Sequence, residues 1–517
     1  MSIDQIALLP VYAVALTAVA ALVTDLLVPG RRGPVLAVTA LGAAATAAAA
    51  WVVGAAGPAR RTFCAPAGCS YVFDHTAALA AVVFALLTLG VLAFSVPALR
   101  GDTPPGEYCF LLACSLTGGV VLGAARDLIT LIIAVETLTL PLFALVGLRR
   151  RVVASAEAAV TFFVVSVVST AVTLLGAALL YASTGAVHFT ALAAALAHRD
   201  ALVSVPLVTV GVVLVLVGLG FKVAAVPLHA WAPATYDGAP LPVAAYLSTV
   251  SKLGGVVAIL LVSAQALRPW LDVTGPALAA LATLTMTVGN LVALRQRRMV
   301  RLLAWSSVAQ AGYILAPLGA FALASGRSDT ALRVVVAASI AYAIFFVLLE
   351  LAAFGAVIAL RGDRDGGEIA DYRGVGRRTP WVAGALTLAF AGLAGLPPGL
   401  AGLFAKVAVV RALLAGGAAW LAVVVALNAV IGLAYYVRVV TTLFVIAPLD
   451  TITPSDIIRP SSDIFAPGSD IRAVPRAPLP AVPWPVAVGL VALTVAGLVA
   501  GFAPQLVLHA AGLAAGR

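Results

Sequence analysis

Long apolar runs separated by short polar connections dominate this chain of 517 residues. A helix needs about 20 consecutive apolar residues to cross a bilayer, and about fourteen stretches meet that length. They run approximately over residues 5–27, 34–54, 76–97, 107–124, 127–147, 156–182, 205–232, 240–265, 275–294, 299–323, 331–360, 380–414, 416–447 and 484–510. The pattern predicts an all-α, polytopic membrane protein with about fourteen transmembrane helices.

Two of these runs, residues 380–414 and 205–232, are too long for a straight crossing. Residues 380–414 would form a rod of roughly 50 Å, whereas the hydrocarbon core is about 30 Å thick. Pro397 and Pro398 interrupt the run, and Lys406 follows about two turns later. We therefore predict a broken helix here.

The run over residues 205–232 has a similar arrangement, because Lys222 is followed by Pro227. Paired proline-interrupted segments in two halves of a chain are typical of inverted repeats that enclose an ion site. We predict a first five-helix repeat at residues 107–265 and a second at 275–447.

The remaining parts of the chain flank these repeats. Residues 1–100 are expected to form an N-terminal segment of three helices, and residues 484–517 a C-terminal transmembrane helix. Residues 448–483 are rich in Pro, Ser and Asp and lack apolar periodicity, which predicts a flexible cytoplasmic loop.

Composition agrees with a membrane protein. Hydrophobic residues make up 63% of the chain and charged residues 10%, which excludes an ordinary soluble domain. The net charge of +10 comes from arginines in the connections, and odd-numbered connections carry roughly twice the arginine of even-numbered ones. This bias predicts odd-numbered connections in the cytoplasm and both termini on the outer face. It indicates topology and no nucleic-acid partner.

Four cysteines show no metal-binding spacing. Cys64 and Cys69 lie in a connection placed outside, where a small disulfide loop is allowed. Cys109 and Cys114 lie in an apolar run and are interpreted as packed thiols. No zinc, haem or iron–sulfur signature is present in the sequence, so no metal site is expected.

The chain has three lysines, Lys222, Lys252 and Lys406, and all lie within long apolar runs. A lysine in a low-dielectric interior can release its proton near neutral pH, whereas an arginine stays charged. An ionisable side chain at membrane depth is a candidate for an ion or proton pathway. The structural alternatives are a static ion pair for Lys252 and capping of carbonyls freed at the helix breaks for the other two.

Among the acids within apolar runs, three are candidates to act with the lysines. Glu136 lies at a depth similar to that of Lys252 and is a candidate partner for Lys222. Glu157 begins the next run, where an ordinary surface pairing is equally consistent with its position. Glu350 lies in the eleventh run, and the sequence indicates no partner for it.

Two further side chains follow the proline of the seventh run. His229 and Tyr236 are candidates for proton relay or for lining a hydrated path. Anchoring of the helix break and helix packing are the alternatives.

The run from Gly220 to Val243 contains Lys222, Pro227, His229 and, from Tyr236, the segment Tyr-Asp-Gly-Ala-Pro. This run closely resembles the signature of the antiporter-like subunits of respiratory complex I. Further matches are residues 290–296, residues 301–313, and Gly395-Leu-Pro-Pro before Lys406. Together they cover about residues 107–447. Within the family, the Tyr-Asp-Gly-Ala-Pro portion and the lysine at position 406 look most like subunit N of NADH-quinone oxidoreductase.

The resemblance implies a subunit of fourteen helices with two inverted five-helix repeats and broken seventh and twelfth helices. It also implies a hydrated axis in the membrane plane, which falls here on Glu136, Lys222, Lys252 and Lys406. The sequence departs from the family pattern at two places. Thr161 stands where a second basic residue is common, and Glu350 where a neutral residue is expected.

The function implied is that of a proton-translocating membrane subunit of NADH-quinone oxidoreductase in a bacterial plasma membrane. NADH oxidation, quinone reduction, FMN and the iron–sulfur clusters would belong to partner subunits, with no cofactor on this chain. Expected partners are the other membrane subunits, the peripheral redox arm indirectly, and lipids. The alternatives are a subunit of a multisubunit cation/proton antiporter, a membrane hydrogenase subunit, and a scaffold that carries no protons.

Overall fold

The computed structural model describes residues 3–55, 57–100, 103–149, 152–197, 205–445 and 481–516. Of the loop predicted at 448–483, only residues 481–483 fall within these ranges. The α-helices in these ranges are α1 (Leu9–Leu27), α2 (Arg32–Ala55), α3 (His75–Phe94), α4 (Pro105–Ala124), α5 (Leu128–Val146), α6 (Val153–Thr184), α7 (Phe189–Ala197), α8 (Val205–Lys222), α9 (Trp231–Gly238), α10 (Leu241–Tyr246), α11 (Lys252–Leu261), α12 (Leu271–Ala293), α13 (Met299–Leu315), α14 (Asp329–Arg361), the one-turn α15 (Val375–Arg378), α16 (Pro380–Ala394), α17 (Leu400–Ala415), α18 (Ala419–Phe444), α19 (Trp484–Phe502) and α20 (Pro504–Ala514).

Within the described ranges, twelve helical segments are long and apolar enough to cross a membrane. Each occupies one of the predicted stretches. The other two stretches contain shorter helices: α13, which continues as a 3-10 helix over Ala316–Ala322, and the pair α16 and α17. The polytopic all-α class is confirmed, while the count of fourteen and the two inverted repeats stay predictions.

Both predicted helix breaks are present. Helix α8 ends at Lys222, and the chain leaves the helical path over residues 223–230, which include Pro227. Helix α16 ends at Ala394, and α17 begins after Pro397 and Pro398. Proline cannot donate a backbone hydrogen bond, so the helix stops where these residues occur.

The crossing over Leu241–Ala266 contains two π-helical turns that the sequence does not indicate. The first, Leu247–Ser251, ends immediately before Lys252, and the second covers Val262–Ala266. A π turn inserts an extra residue into the helix and re-aims the side chains that follow it. The turn therefore helps to set the direction of the Lys252 side chain.

The structure corrects the sequence prediction at the C-terminal end and in one connection. The span expected at 484–510 is divided at Ala503, because Pro504 starts the separate helix α20. The connection after α2 forms a hairpin of β1 (Arg60–Ala65) and β2 (Gly68–Phe73), and Cys64 and Cys69 are bonded across it. The connection after α6 contains helix α7, which was not predicted from the sequence.

Contacts at Asp4 and Ala514 place both ends of the described chain on one face. Near the N-terminus, Asp4 pairs with Arg60 of the hairpin at 3.2 Å. Near the C-terminus, the Thr76 hydroxyl donates to the Ala514 carbonyl at 2.7 Å. Thr76 follows the hairpin directly, so both ends lie on the hairpin's face. Which face meets the cytoplasm stays a prediction.

Candidate proton pathway

The Glu136 and Lys222 side chains meet between α5 and the end of α8. The Lys222 ammonium donates to Glu136 Oε1 at 2.8 Å, to Ser166 Oγ at 3.1 Å and to Thr139 Oγ1 at 3.4 Å. The Thr170 hydroxyl donates to the same carboxylate oxygen at 2.6 Å. The lysine side chain is 7% exposed and the glutamate 21%. The acid and the lysine proposed as partners from the sequence are thus in contact.

Lys252 lies deeper, at the start of α11, and is 1% exposed. Its ammonium donates to the Ser307 carbonyl at 2.7 Å and to the Ser307 hydroxyl at 2.5 Å, and it lies 5.9 Å from the centre of the Phe346 ring. No carboxylate of a described residue is in ion-pair contact with it. The acid whose charge acts on it through space is Glu350.

Glu350 lies on α14 and is fully buried. Its Oε1 accepts a hydrogen bond from the Ser248 hydroxyl at 2.9 Å, whereas Oε2 is buried with no hydrogen-bond partner among the described residues. Ser248 belongs to the π turn that precedes Lys252. The structure therefore identifies the surroundings of an acid for which the sequence indicated no partner.

Lys406 lies beside the break between α16 and α17. Its ammonium donates to the Leu393 carbonyl at 2.8 Å and lies 5.4 Å from the centre of the Tyr313 ring. Leu393 belongs to the last turn of α16, so this contact caps a carbonyl that the break has freed. Lys406 also borders an apolar surface cleft of about 480 Å³ between α17 and α18.

A chain of polar groups joins the surroundings of Lys252 to those of Lys406. The Ser306 hydroxyl, next to the serine that binds the central lysine, shares a hydrogen bond of 2.5 Å with the Tyr436 hydroxyl. Gln310 donates to that tyrosine oxygen and to the Leu393 carbonyl, both at 3.2 Å. Gln310 and Tyr436 were not among the candidates predicted from the sequence, although polar residues one turn apart in the apolar helix α13 are a usable signal.

The described residues form no comparable chain of hydrogen bonds between Lys222 and Lys252. The two regions are joined by close packing instead. A Cβ atom on Gly255 of α11 would lie 2.9 Å from Lys222 Cβ, so the helix backbone approaches this lysine closely only because residue 255 is glycine.

The candidate relays His229 and Tyr236 lie beside the first break. The His229 ring packs 5.0 Å from the ring of Trp305. Tyr236 is fully buried, and its hydroxyl has no hydrogen-bond partner among the described residues. Within the described ranges, neither side chain is hydrogen-bonded to a lysine.

Glu157 and Thr161 lie one helical turn apart on the exposed side of α6. Glu157 is about 14 Å along the helix axis from Ser166, which binds the Lys222 ammonium. The structure does not bring this acid to the buried groups.

An ion-pair chain at one membrane face fixes the end of α9. Arg298 donates to the Asp237 carboxylate at 2.8 and 3.0 Å and to Asp365 Oδ2 at 3.0 Å. Burial acts to raise the pKa of Asp365, but hydrogen bonds and charges from Arg298 and Arg361 outweigh it and hold this pKa below its usual value. The Tyr-Asp-Gly segment after the first break is thereby tied to the connection that follows α14.

Comparison with known proteins identifies the family. The transmembrane family described as "NADH:quinone oxidoreductase/Mrp antiporter, TM" matches residues 125–432. NADH-quinone oxidoreductase subunit N of Salinispora tropica is 63% identical over 514 residues, which cover 99% of each chain.

Solved structures share the fold over nearly the whole length. A chain of respiratory complex I from Thermus thermophilus with bound aureothin superposes with a TM-score of 0.74 and 27% identity, covering 97% of this chain and 98% of that one. A chain of the Mrp complex from Dietzia sp. gives a TM-score of 0.77 and 26% identity, covering 99% and 96%. The fold therefore occurs in both kinds of complex, and the identity over the full length decides between them: the chain belongs to the subunit N family of NADH-quinone oxidoreductase.

Proposed function

We propose that this chain is the antiporter-like membrane subunit of NADH-quinone oxidoreductase that moves protons along Glu136, Lys222, Lys252 and Lys406. FMN, the iron–sulfur clusters and the quinone reaction belong to partner subunits. The observation that carries the proposal is the ion pair of the partly buried Glu136 with the buried Lys222, in a chain whose three lysines all lie in the helical interior or at its edge.

The pair can be loaded and discharged by a small movement. While the carboxylate lies 2.8 Å from the ammonium, it favours the charged lysine. If a change in the neighbouring subunit draws Glu136 away, the hydrogen-bond partners that remain among the described residues are the hydroxyls of Ser166 and Thr139, which carry no compensating charge. Desolvation then favours release of the lysine proton.

Lys252 is the central relay and Lys406 the exit, toward the outer face or toward a neighbouring subunit. Ser306, Tyr436 and Gln310 provide hydroxyl and amide groups between the two lysines. His229 and Tyr236 would support a hydrated side path. Glu157 has no geometric support for a relay role.

The proposed setting is a bacterial plasma membrane, with other membrane subunits beside the chain and both termini outside. Alkaline phosphatase fused after residue 516 should be active, and the same enzyme inserted in the connection between α14 and α15 inactive. The reverse pattern of phosphatase activity would show the opposite orientation in the membrane, and the arrangement of the buried groups would be unchanged.

The proton pathway is tested with Lys222→Met and Lys252→Met, separately and together, in the assembled complex. NADH-driven proton uptake by inverted membrane vesicles and coupled quinone reductase activity should both fall, after normalisation to assembled complex. Arg333→Met removes an exposed cation from the start of α14 and is the matched control.

Full pumping by the double variant would overturn the pathway and favour a scaffold. The chains that copurify with the protein distinguish the proposed function from the remaining alternative, a cation/proton antiporter subunit. Flavin and iron–sulfur subunits are expected, whereas small antiporter subunits would indicate a cation/proton antiporter.

A further inference from the structure

Glu350 is an acid in a place where an isolated charge is costly. Its side chain is fully buried, one carboxylate oxygen has a single serine donor, and the other has none among the described residues. A buried carboxylate needs either a compensating charge or a proton. Any role for Glu350 must therefore include either a compensating charge nearby or a proton on the carboxylate.

The distribution of charge points to Lys252 as the compensating group. Glu136 is already in contact with Lys222, and Lys406 lies beside a carbonyl oxygen. Among the described residues, the hydrogen-bond acceptors of Lys252 are the uncharged oxygens of Ser307, and Glu350 is the acid whose charge acts on it. The interior thus contains a second lysine and a second acid that balance each other.

The π turn joins Lys252 to the serine that binds Glu350, so both groups depend on one segment of the chain. Ser248, which donates to Glu350, and Lys252 lie four residues apart across this turn. Serine can donate to an ionised carboxylate and accept from a protonated one. The same hydroxyl can therefore remain bonded to Glu350 in either protonation state.

We propose that Glu350 is the proton acceptor of Lys252, so that the two form a second proton-exchanging pair at the centre of the subunit. The proton leaves the Lys252 ammonium and binds the free oxygen Oε2 of Glu350. An ammonium and a carboxylate become an amine and a carboxylic acid, and the net charge is unchanged. The groups are not in contact, so the transfer needs a side-chain movement or a bridging water. The inference rests on the proposed function, since it assumes that Lys252 carries protons.

The first experiment replaces Glu350 by Gln in the assembled complex. NADH-driven proton uptake per assembled complex should fall several-fold. The Lys252→Met/Glu350→Gln double variant should be no worse than the weaker single variant, because residues that act as a unit are not additive. Ser339→Ala on the same buried helix and Glu107→Gln at an exposed position are the matched controls and should pump normally.

A spectroscopic readout separates proton exchange from a structural role. Infrared difference spectra between high and low pH should contain a carboxylic acid carbonyl band that disappears in Glu350→Gln. If that variant does not assemble, Ser248→Ala keeps the acid and removes its hydrogen bond, and it should shift the band and lower pumping.

Three results would overturn the inference. They are wild-type pumping by Glu350→Gln where Lys252→Met fails, additive losses in the double variant, and Ser248→Ala with an unchanged band and rate. Normal pumping by Lys252→Met would instead remove the proposed function itself.

Discussion

The partly buried pair of Glu136 and Lys222 allows a prediction about stability that is independent of pumping. Glu136→Gln removes the negative charge beside the lysine ammonium and leaves it with uncharged partners, whereas Lys222→Met leaves the carboxylate with the Thr170 hydroxyl. Each single replacement strands one charge, whereas the double replacement strands none. The double variant should therefore be more stable than Glu136→Gln alone.

The loss of stability in each single variant has an upper limit, because the charged group left without its partner can always become neutral. For a lysine with an ordinary pKa of about 10.4, losing the proton at pH 7 costs about 4.6 kcal/mol. For a glutamate with an ordinary pKa of about 4.3, gaining one costs about 3.7 kcal/mol. The carboxylate is also three times as exposed as the lysine, 21% against 7%, and so keeps more hydration. Glu136→Gln should therefore be the more damaging single change.

The assay heats the detergent-solubilised complex and measures the temperature at which half of an epitope-tagged subunit leaves the soluble fraction. The expected order of stability is wild type, then the double variant, then Lys222→Met, then Glu136→Gln. Because such unfolding is irreversible, only the order is interpreted. A double variant as unstable as the sum of the single effects would refute the reasoning, since it would mean that the pair carries no stranded-charge penalty.

Three further changes test other parts of the structure. Gly402→Ala would place a Cβ atom 1.6 Å from a carbonyl oxygen of α16, so the folded subunit should be lost in a heating assay, while Gly384→Ala, which meets open space, should behave as wild type. Asp365→Asn removes the carboxylate that Arg298 and Arg361 share and leaves the contact of Arg298 with Asp237 intact. It should lower thermal stability by less than about 1 kcal/mol above about pH 3.9, because the contact is exposed. Since folding lowers the pKa of Asp365, this difference is present above the unfolded value and should disappear as the pH falls through the folded one, so a difference that persists at lower pH would contradict the assignment. Lys406→Arg should keep thermal stability but stop proton uptake, because arginine can cap a carbonyl and cannot release its proton; unchanged uptake would show that this position only caps the helix.

Features that depend on local chain chemistry could be predicted from the sequence. Apolar length predicts most of the crossings, and the prolines predict both breaks because they remove backbone donors. The contact of Glu136 with Lys222 followed from the cost of leaving either charge alone at membrane depth. The disulfide was allowed by spacing in a connection placed outside, and it is present.

Features that depend on packing between distant segments could not be predicted from the sequence. A π turn and a regular helix have the same apolar pattern, so the turn before Lys252 leaves no periodic signal. Gln310 and Tyr436 are 126 residues apart, and only the tertiary fold brings their side chains within hydrogen-bond distance. Pro504 was in the sequence, but a proline is tolerated at the first position of a helix and does not by itself show where the preceding one ends.

Capping and proton transfer at Lys406 are compatible, and the structure indicates why. The ammonium binds the Leu393 carbonyl, which is also the acceptor of Gln310 at the end of the polar chain from the central serines. The contact that stabilises the broken helix is therefore the same contact that holds the lysine at the end of that chain. Since a carbonyl carries no full charge, it fixes the position of the ammonium without retaining its proton as a carboxylate would. A neighbouring acid presented at the cleft beside Lys406 would then decide whether the lysine is charged.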